Sequence, residues 1–236
     1  MDELDKLDSI AKDSWYNKGA NRHTIHYSAD ICMRHFYGGD VLELGPAEGE
    51  FTSRLVERAD SLTLVDGSSI FCNDLKQRYP QATVINTLFE EVDLTGEYDL
   101  IVLGHVLEHV DDPVFVLSHI RKFLKPGGQL FAAVPNARSL HRQAAVLMGL
   151  LGSLYELNES DIHHGHKRVF NTEAFRECFI EAGYVINVFG GYWLKPVSNK
   201  QIDEDWSDEM LKAFMELGEL YPDIAGEIYA VASNKK

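Results

Sequence analysis

The chain is short of basic residues, of cysteine and of long apolar runs, and each shortage removes a class of function. Lysine and arginine number 22 against 37 aspartates and glutamates, a formal net charge of −15. Phosphate backbones and anionic lipid surfaces are drawn to basic protein faces, so neither nucleic acid nor a membrane is expected as a partner. The three cysteines, Cys32, Cys72 and Cys178, are too few and too scattered for a disulfide framework or a cysteine zinc site. They read as small core or near-surface thiols in a reducing compartment. The longest apolar run, around residues 144–154, is too short to span a bilayer. Residues 1–5 are acidic and lack the apolar core of an export signal, so a cytoplasmic protein is expected. What remains is 236 residues with 45% hydrophobic and 25% charged content. That suits a single α/β domain, residues 1–236, with a buried core.

The most informative stretch is Val41-Leu42-Glu43-Leu44-Gly45-Pro46-Ala47-Glu48-Gly49-Glu50-Phe51. An apolar run enters a glycine turn and a helix-like pattern leaves it, as where a Rossmann-like sheet holds a nucleotide. A dinucleotide site wants Gly-x-Gly-x-x-Gly, so that backbone can approach a pyrophosphate. Here the middle glycine is Ala47, and Glu48 and Glu50 place negative charge where a phosphate would sit. A nucleoside without phosphates and with a positive centre fits better, and S-adenosylmethionine is such a ligand. Leu62-Thr63-Leu64-Val65-Asp66 reads as a buried strand ending in a carboxylate. It follows the turn at about 20 residues, the spacing of a ribose-binding acid. Gly67-Ser68-Ser69 then turns the chain beneath the sugar. The competing reading is that Asp66 caps the helix beginning near Ile70.

With these residues in place the chain resembles the class I S-adenosylmethionine-dependent methyltransferases, in their ubiquinone-biosynthesis-like branch. Glu43 to Gly49 stands at the family's first motif and Asp66 at its ribose-binding acid. Tyr98 to Val110 looks like its fourth strand and following loop, and Leu124-Lys125-Pro126-Gly127-Gly128 like its turn into the fifth. Four motifs in order over residues 40–135 make the resemblance specific. It implies a Rossmann-like, seven-stranded, mostly parallel sheet with an antiparallel last strand and helices on both faces. It also implies cofactor contacts from Glu43, Gly45, Pro46, Ala47, Gly49, Asp66, Gly67 and Ser68. Leu88 and Phe89 would flank the adenine, the Gly104 backbone would meet the methionine ammonium, and His105 would border the cofactor.

The pattern along the chain alternates as a doubly wound sheet requires. Strand-like runs lie at 40–44, 61–65, 82–85, 98–103, 128–134, 184–189 and 227–232. Residues 3–37 read as a helical N-terminal cap, with Trp15, Tyr16, Ile25, Tyr27, Ile31 and Phe36 as apolar positions. Helical patterns follow at 49–58, 70–78, 113–123 and 171–182, and another runs from a Ser207 cap to about Leu220. Two segments stand outside the common core. Residues 137–169 follow the fifth strand, above the cofactor edge of the sheet, and read as a substrate lid. The competing readings are a packing elaboration or a contact in a homodimer. Residues 190–226 separate the last two strands.

His105-Val106-Leu107-Glu108-His109 fits two patterns. As His-x-x-Glu-His it matches an inverted zinc-peptidase motif. A buried strand runs up to it, however, and no third ligand is evident, so no metal is expected. In the methyltransferase reading, His109 is the first choice for a general base, since imidazole titrates near neutrality. The alternative is a histidine that only fixes the loop. Arg138, His141, His166, Arg168 and Tyr192 are expected around a small polar or anionic substrate. The segment Gly191-Tyr192-Trp193-Leu194-Lys195-Pro196, with Asn199 and Gln201, is a candidate lining of the same pocket. The expected activity is O-methylation of a small molecule. The alternatives are N-methylation of an amino sugar or other amine, and a non-catalytic cofactor-binding protein.

Overall fold

The computed structural model describes residues 3–14 and 16–235. Trp15, expected as an apolar position, and Met1 and Asp2 of the acidic start lie outside the described residues. Seven strands form one sheet: β1 Gly39–Leu44, β2 Ala59–Asp66, β3 Thr83–Asn86, β4 Tyr98–Gly104, β5 Leu124–Pro135, β6 Tyr184–Tyr192 and β7 Glu227–Asn234. Their order is β3-β2-β1-β4-β5-β7-β6. β1 pairs in parallel with β2 and β4, β2 with β3 and β4 with β5, whereas β7 runs antiparallel to both neighbours. The expected mostly parallel sheet with its antiparallel last strand is the one observed.

Among the described residues ten helices surround it: α1 Glu3–Lys12, α2 Gly19–Met33, α3 Thr52–Leu55, α4 Ser69–Arg78, α5 Pro113–Ile120, α6 Leu140–Leu147, α7 Glu159–His163, α8 Thr172–Glu181, α9 Asn199–Asp205 and α10 Asp208–Leu220. The central strands β1, β4 and β5 are largely apolar on both faces, as parallel strands between helix layers must be. Alternate residues divide cleanly. Leu42, Leu44, Ile101, Leu103, Leu130 and Ala132 join one core with α5 and α8. Val41, Leu100, Val102, Phe131 and Ala133 join the other with α2, α4 and α10. Among the described residues no helix is long and apolar enough to cross a membrane.

Several boundaries differ from the expected ones, and three of them have a visible cause. The helical stretch over 3–37 breaks between α1 and α2, where Gly19 adopts φ +47°. A Cβ there would lie 2.5 Å from Asp203 Oδ1. The same carboxylate accepts the Ala20 N–H at 2.7 Å, so a side chain from α9 supplies the cap that Lys18 cannot. The pattern over 49–58 condenses to the single turn of α3, held by Thr52 donating to the buried Glu43 at 2.6 Å. β6 runs three residues past 189, because Gly190 and Gly191 lie under Tyr229 and Pro222, where side chains would not fit.

Candidate active site

Strand order reverses between β1 and β4, and the loops leaving those two strands build the site, as expected at a topological switch point. Gly45 has φ +69°, and a Cβ on it would come within 2.7 Å of Val106 Cγ2. Only glycine lets the two loops meet this closely. Ala47, which stands where the dinucleotide pattern has its middle glycine, also takes a left-handed conformation, φ +45°. That costs a non-glycine residue on the order of 1 kcal/mol. Ala47→Gly is therefore expected to raise unfolding stability by up to about 1 kcal/mol, the Cβ strain outweighing glycine's chain entropy. Denaturant titration showing a loss instead would mean that the methyl group packs favourably.

The reward for the Ala47 geometry is its N–H, which donates to Asp66 Oδ2 at 3.2 Å while the Ser68 N–H donates to Oδ1 at 2.8 Å. Burial pushes the Asp66 pKa up to about 6, against these two hydrogen bonds and with help from Glu48 and Asp8. Asp66 is not the cap of α4. Ser68 is: its hydroxyl accepts the Ile70 and Phe71 N–H groups and donates to Asp8 of α1 at 2.7 Å.

A cavity of about 900 Å³ extends from this turn past Leu88 and Phe89 to Gly104, His105 and His109, and then under the 137–169 segment. That is room for a nucleoside and a second small molecule. His105 has φ +60°, an uncommon conformation for a residue other than glycine. Its Nε2 lies 3.0 Å from the Tyr192 hydroxyl, and its Nδ1 lies 3.5 Å from Glu108 and 3.8 Å from Glu227. Burial works to lower the His105 pKa, but the two carboxylates outweigh it and hold it above the usual value. His109 is the opposite case, since burial pushes it down to about 4, which leaves a neutral imidazole at pH 7. Burial also raises Glu227 to about 7 and lowers Lys195 to about 8.

A family model described as a methyltransferase domain matches residues 16–187. The chain belongs to the methyltransferase domain family. Among curated relatives, the ubiquinone biosynthesis O-methyltransferase of Pasteurella multocida (strain Pm70) is 25% identical over 235 residues, covering 86% of this chain and 94% of that protein. The enzyme of the same name from Coxiella burnetii (strain RSA 493 / Nine Mile phase I) is 25% identical over 168 residues, covering 66% and 70%. Among solved structures, N-methyltransferase NodS from Bradyrhizobium japonicum WM9, in complex with S-adenosyl-L-homocysteine, superposes with a TM-score of 0.65 at 17% identity, covering all of both chains.

Within this methyltransferase the residues expected at the cofactor divide into two groups. Gly45, Pro46, Ala47, Asp66, Gly67, Ser68, Leu88, Phe89, Gly104 and His105 line the cavity. Glu43 and Gly49 do not. Glu43 is buried beneath the turn, with its pKa raised by burial to about 8, and it anchors Thr52. Gly49 is where Leu75 and Tyr79 leave little space for a Cβ, each 3.0 Å away.

The residues expected at the substrate divide as well. His141 and His166 line the cavity together with His109. Arg138 and Arg168 do not. Arg138 pairs with Glu173 at 2.8 Å, and Arg168 donates to the Asp111 carbonyl at 2.8 Å. Tyr192 is fully buried behind His105 rather than exposed to the chamber. The sequence reading attached no acceptor-side role to Glu108 or to Glu227. Glu108 stood in the loop after the fourth strand and in a zinc pattern, and Glu227 only at the start of the expected last strand. It reaches the chamber because β7 pairs with β5, setting it opposite Pro135. The 137–169 segment is tied to the N-terminal cap: Tyr16 donates to the His164 carbonyl at 3.4 Å, and Lys167 lies 3.5 Å from Glu3.

Proposed function

We propose that this protein transfers the sulfonium methyl group of S-adenosylmethionine to an oxygen of a small polar acceptor held beneath the 137–169 segment. One observation carries the reading. A turn made hostile to phosphate by Glu48 sits beside a carboxylate, Asp66, already oriented by two backbone amides, and both open into a second chamber lined with imidazoles. The cofactor supplies an electrophilic methyl, so little covalent work is left to the protein. Asp66 accepts the ribose hydroxyls and the Gly104 carbonyl faces the ammonium. The cap and lid exclude water. His109, neutral at pH 7, takes the acceptor's hydroxyl proton. Glu108, which the neighbouring histidines hold ionised against burial, favours a second reading, an amine acceptor drawn in by its negative charge; NodS is an N-methyltransferase of the same fold. Methyl transfer from labelled S-adenosylmethionine to a panel of sugars, hydroxy acids and amino sugars separates the two. Calorimetry showing NAD binding and no S-adenosylmethionine binding would overturn both.

Asp66→Ala should weaken cofactor binding by about 1.5–3 kcal/mol, the range for hydrogen bonds to a charged group. The pH dependence follows from the raised pKa. A carboxyl at about 6 in the fold and 3.8 when unfolded favours the folded state at low pH, and that contribution is lost as pH rises through about 6. Cofactor binding runs the other way, because ribose hydroxyls favour the ionised form. Wild-type affinity should therefore fall as pH drops through about 6, while the alanine variant stays flat. A flat wild-type profile would place the ribose elsewhere.

A further inference from the structure

Among the described residues the lysines and arginines that line the cavity are Lys6, Arg142, Lys167, Lys195 and Lys200. Arg142 pairs with Asp161 at 3.0 Å and Lys167 with Asp111 at 2.8 Å. Lys6 and Lys200 are exposed to solvent. Lys195 differs from all four. It is half-buried in the cavity wall, and its ammonium has neither an ion pair nor a hydrogen bond among the described residues. It lies over the Trp193 ring, 4.8 Å from the centroid. Taking a cation out of water without a counter-ion is costly. We propose that Lys195 is the counter-ion for a carboxylate on the acceptor, which makes the acceptors of this methyltransferase hydroxy acids. The inference deepens the O-methylation reading and rests on it for the acceptor's hydroxyl.

The charged groups facing Lys195 come from three elements: Glu227 at the start of β7, Asp161 and Arg142 in the 137–169 segment, and Asp203 in α9. Arg142 already neutralises Asp161, and Asp203 is engaged by the Ala20 N–H at 2.7 Å. Glu227 remains, but burial holds its pKa at about 7, so it is only partly ionised at neutral pH. A carboxylate carried in by the acceptor is then a stronger partner than any in the wall.

The backbone holds Lys195 in place beforehand. Trp193 has φ +65°, and its N–H donates to the Met215 carbonyl at 3.1 Å while its own carbonyl accepts the Gly226 N–H at 2.6 Å. The Leu194 N–H donates to the Phe214 carbonyl at 2.7 Å. The chain leaving β6 is thus tied to α10 on one side and to the residue before β7 on the other.

Two neutral groups of the same wall also await a partner. The Trp193 indole N–H and His141 Nδ1 are buried and make no hydrogen bond among the described residues. Buried polar groups are rarely left so. Burial, with Lys195 and Arg142 nearby, keeps His141 neutral, and a neutral imidazole with its proton on Nδ1 donates from that atom. One ammonium and two neutral donors suit a monoanion. A phosphate dianion would bring a second charge towards Asp161 and Glu227 with no second free cation to meet it.

The test uses the full-length protein saturated with S-adenosylhomocysteine. Calorimetry compares glycolate, salicylate and glucuronate, each beside its primary amide. We expect at least one acid to bind once per chain, with its amide weaker by roughly tenfold or more. Lys195→Met should erase that preference and leave S-adenosylhomocysteine affinity within about twofold. Carboxylate binding needs the ammonium, so wild-type affinity for the acid should fall as pH rises through about 8. An earlier fall through about 7 belongs to Glu227, whose ionisation repels the acid. Lys195→Met should keep the earlier fall and lose the later one. Circular dichroism checks that the variant is folded, and the wild-type amide comparison and pH profile stand without it. No binding by any acid, amides that bind as well as acids, or a preference that survives Lys195→Met overturns the inference. Loss of S-adenosylhomocysteine binding in the variant overturns it too, because the ammonium then serves the cofactor's own carboxylate. An acid held by Lys195 but not methylated supports this site and removes the O-methylation reading. Methylation of hydroxyls with no preference for acids removes this inference alone.

Discussion

Replacing His109 by alanine is expected to lower turnover by roughly two to four orders of magnitude, the range for a group that manages a proton in the transition state. S-adenosylmethionine affinity should stay within about twofold. The two halves of the cavity make this separation possible. The cofactor half is formed by the β1 turn, Asp66 and the loop after β3. The acceptor half closes around the His109 ring, which meets the His166 ring edge-on with centroids 4.7 Å apart. Burial holds the His109 pKa near 4, so at pH 7 the ring is neutral and carries a free nitrogen lone pair, of reduced basicity, to receive the acceptor's proton. That role is lost in the alanine variant. Single-turnover rates at saturating cofactor, with calorimetric Kd beside them, read both quantities. Undiminished turnover with an intact acceptor site would remove His109 from the reaction and leave it a loop-fixing histidine. Weakened cofactor binding would instead show that the β4 loop moves as one with the cofactor turn.

Much of the cofactor half was legible because its signals are local. The Gly45 turn, the run ending in Asp66 and the strands before them are each written in contiguous residues. The period of buried positions follows the pleat of the sheet. The acceptor half was less legible because it is assembled from distant parts. His166 meets His109 because the 137–169 segment returns to the β4 loop, where the Lys167 N–H bonds to the Glu108 carbonyl. Glu227 arrives by strand pairing. Charge misled the reading in one respect: Arg138 and Arg168 sit in a basic stretch of an acidic chain, yet each is consumed by a neighbour outside the cavity. Composition shows which charges exist, and only packing shows which are already paired. Ser68 illustrates the same limit at short range, since a hydroxyl placed beneath the ribose by spacing is occupied with capping α4 and holding Asp8.

Arg142→Ala is expected to destabilise the 137–169 segment by about 3 kcal/mol, as when one partner of a buried ion pair is removed. The guanidinium is almost inaccessible and reaches three separate parts of the segment. It pairs with Asp161 at 3.0 Å, donates to the Leu154 carbonyl at 3.0 Å and donates to the Glu156 carbonyl. It is therefore an internal tie of the 137–169 segment at the cavity wall. Asp161 also joins Asn158 in the capping box that starts α7. Burial works to raise its pKa, yet His166, the Asn158 amide and Arg142 together hold it down to about 2. A lowered carboxyl pKa contributes stability above the unfolded value of 3.8, and this is lost only as pH falls towards 2. At neutral pH, removing Arg142 leaves Asp161 charged, buried and short of a partner. Hydrogen exchange over residues 148–163 should then accelerate and the acceptor KM should rise by roughly tenfold or more, with cofactor Kd unchanged. Arg142→Lys should rescue little, because an ammonium cannot span three acceptors as a planar fork does. Combining Arg142→Met with Asp161→Asn should cost less than the two single changes added together. Wild-type exchange rates and KM in Arg142→Ala would mean that the segment is held by its contacts with the N-terminal residues, through Tyr16 and Lys167, and that the buried pair is dispensable.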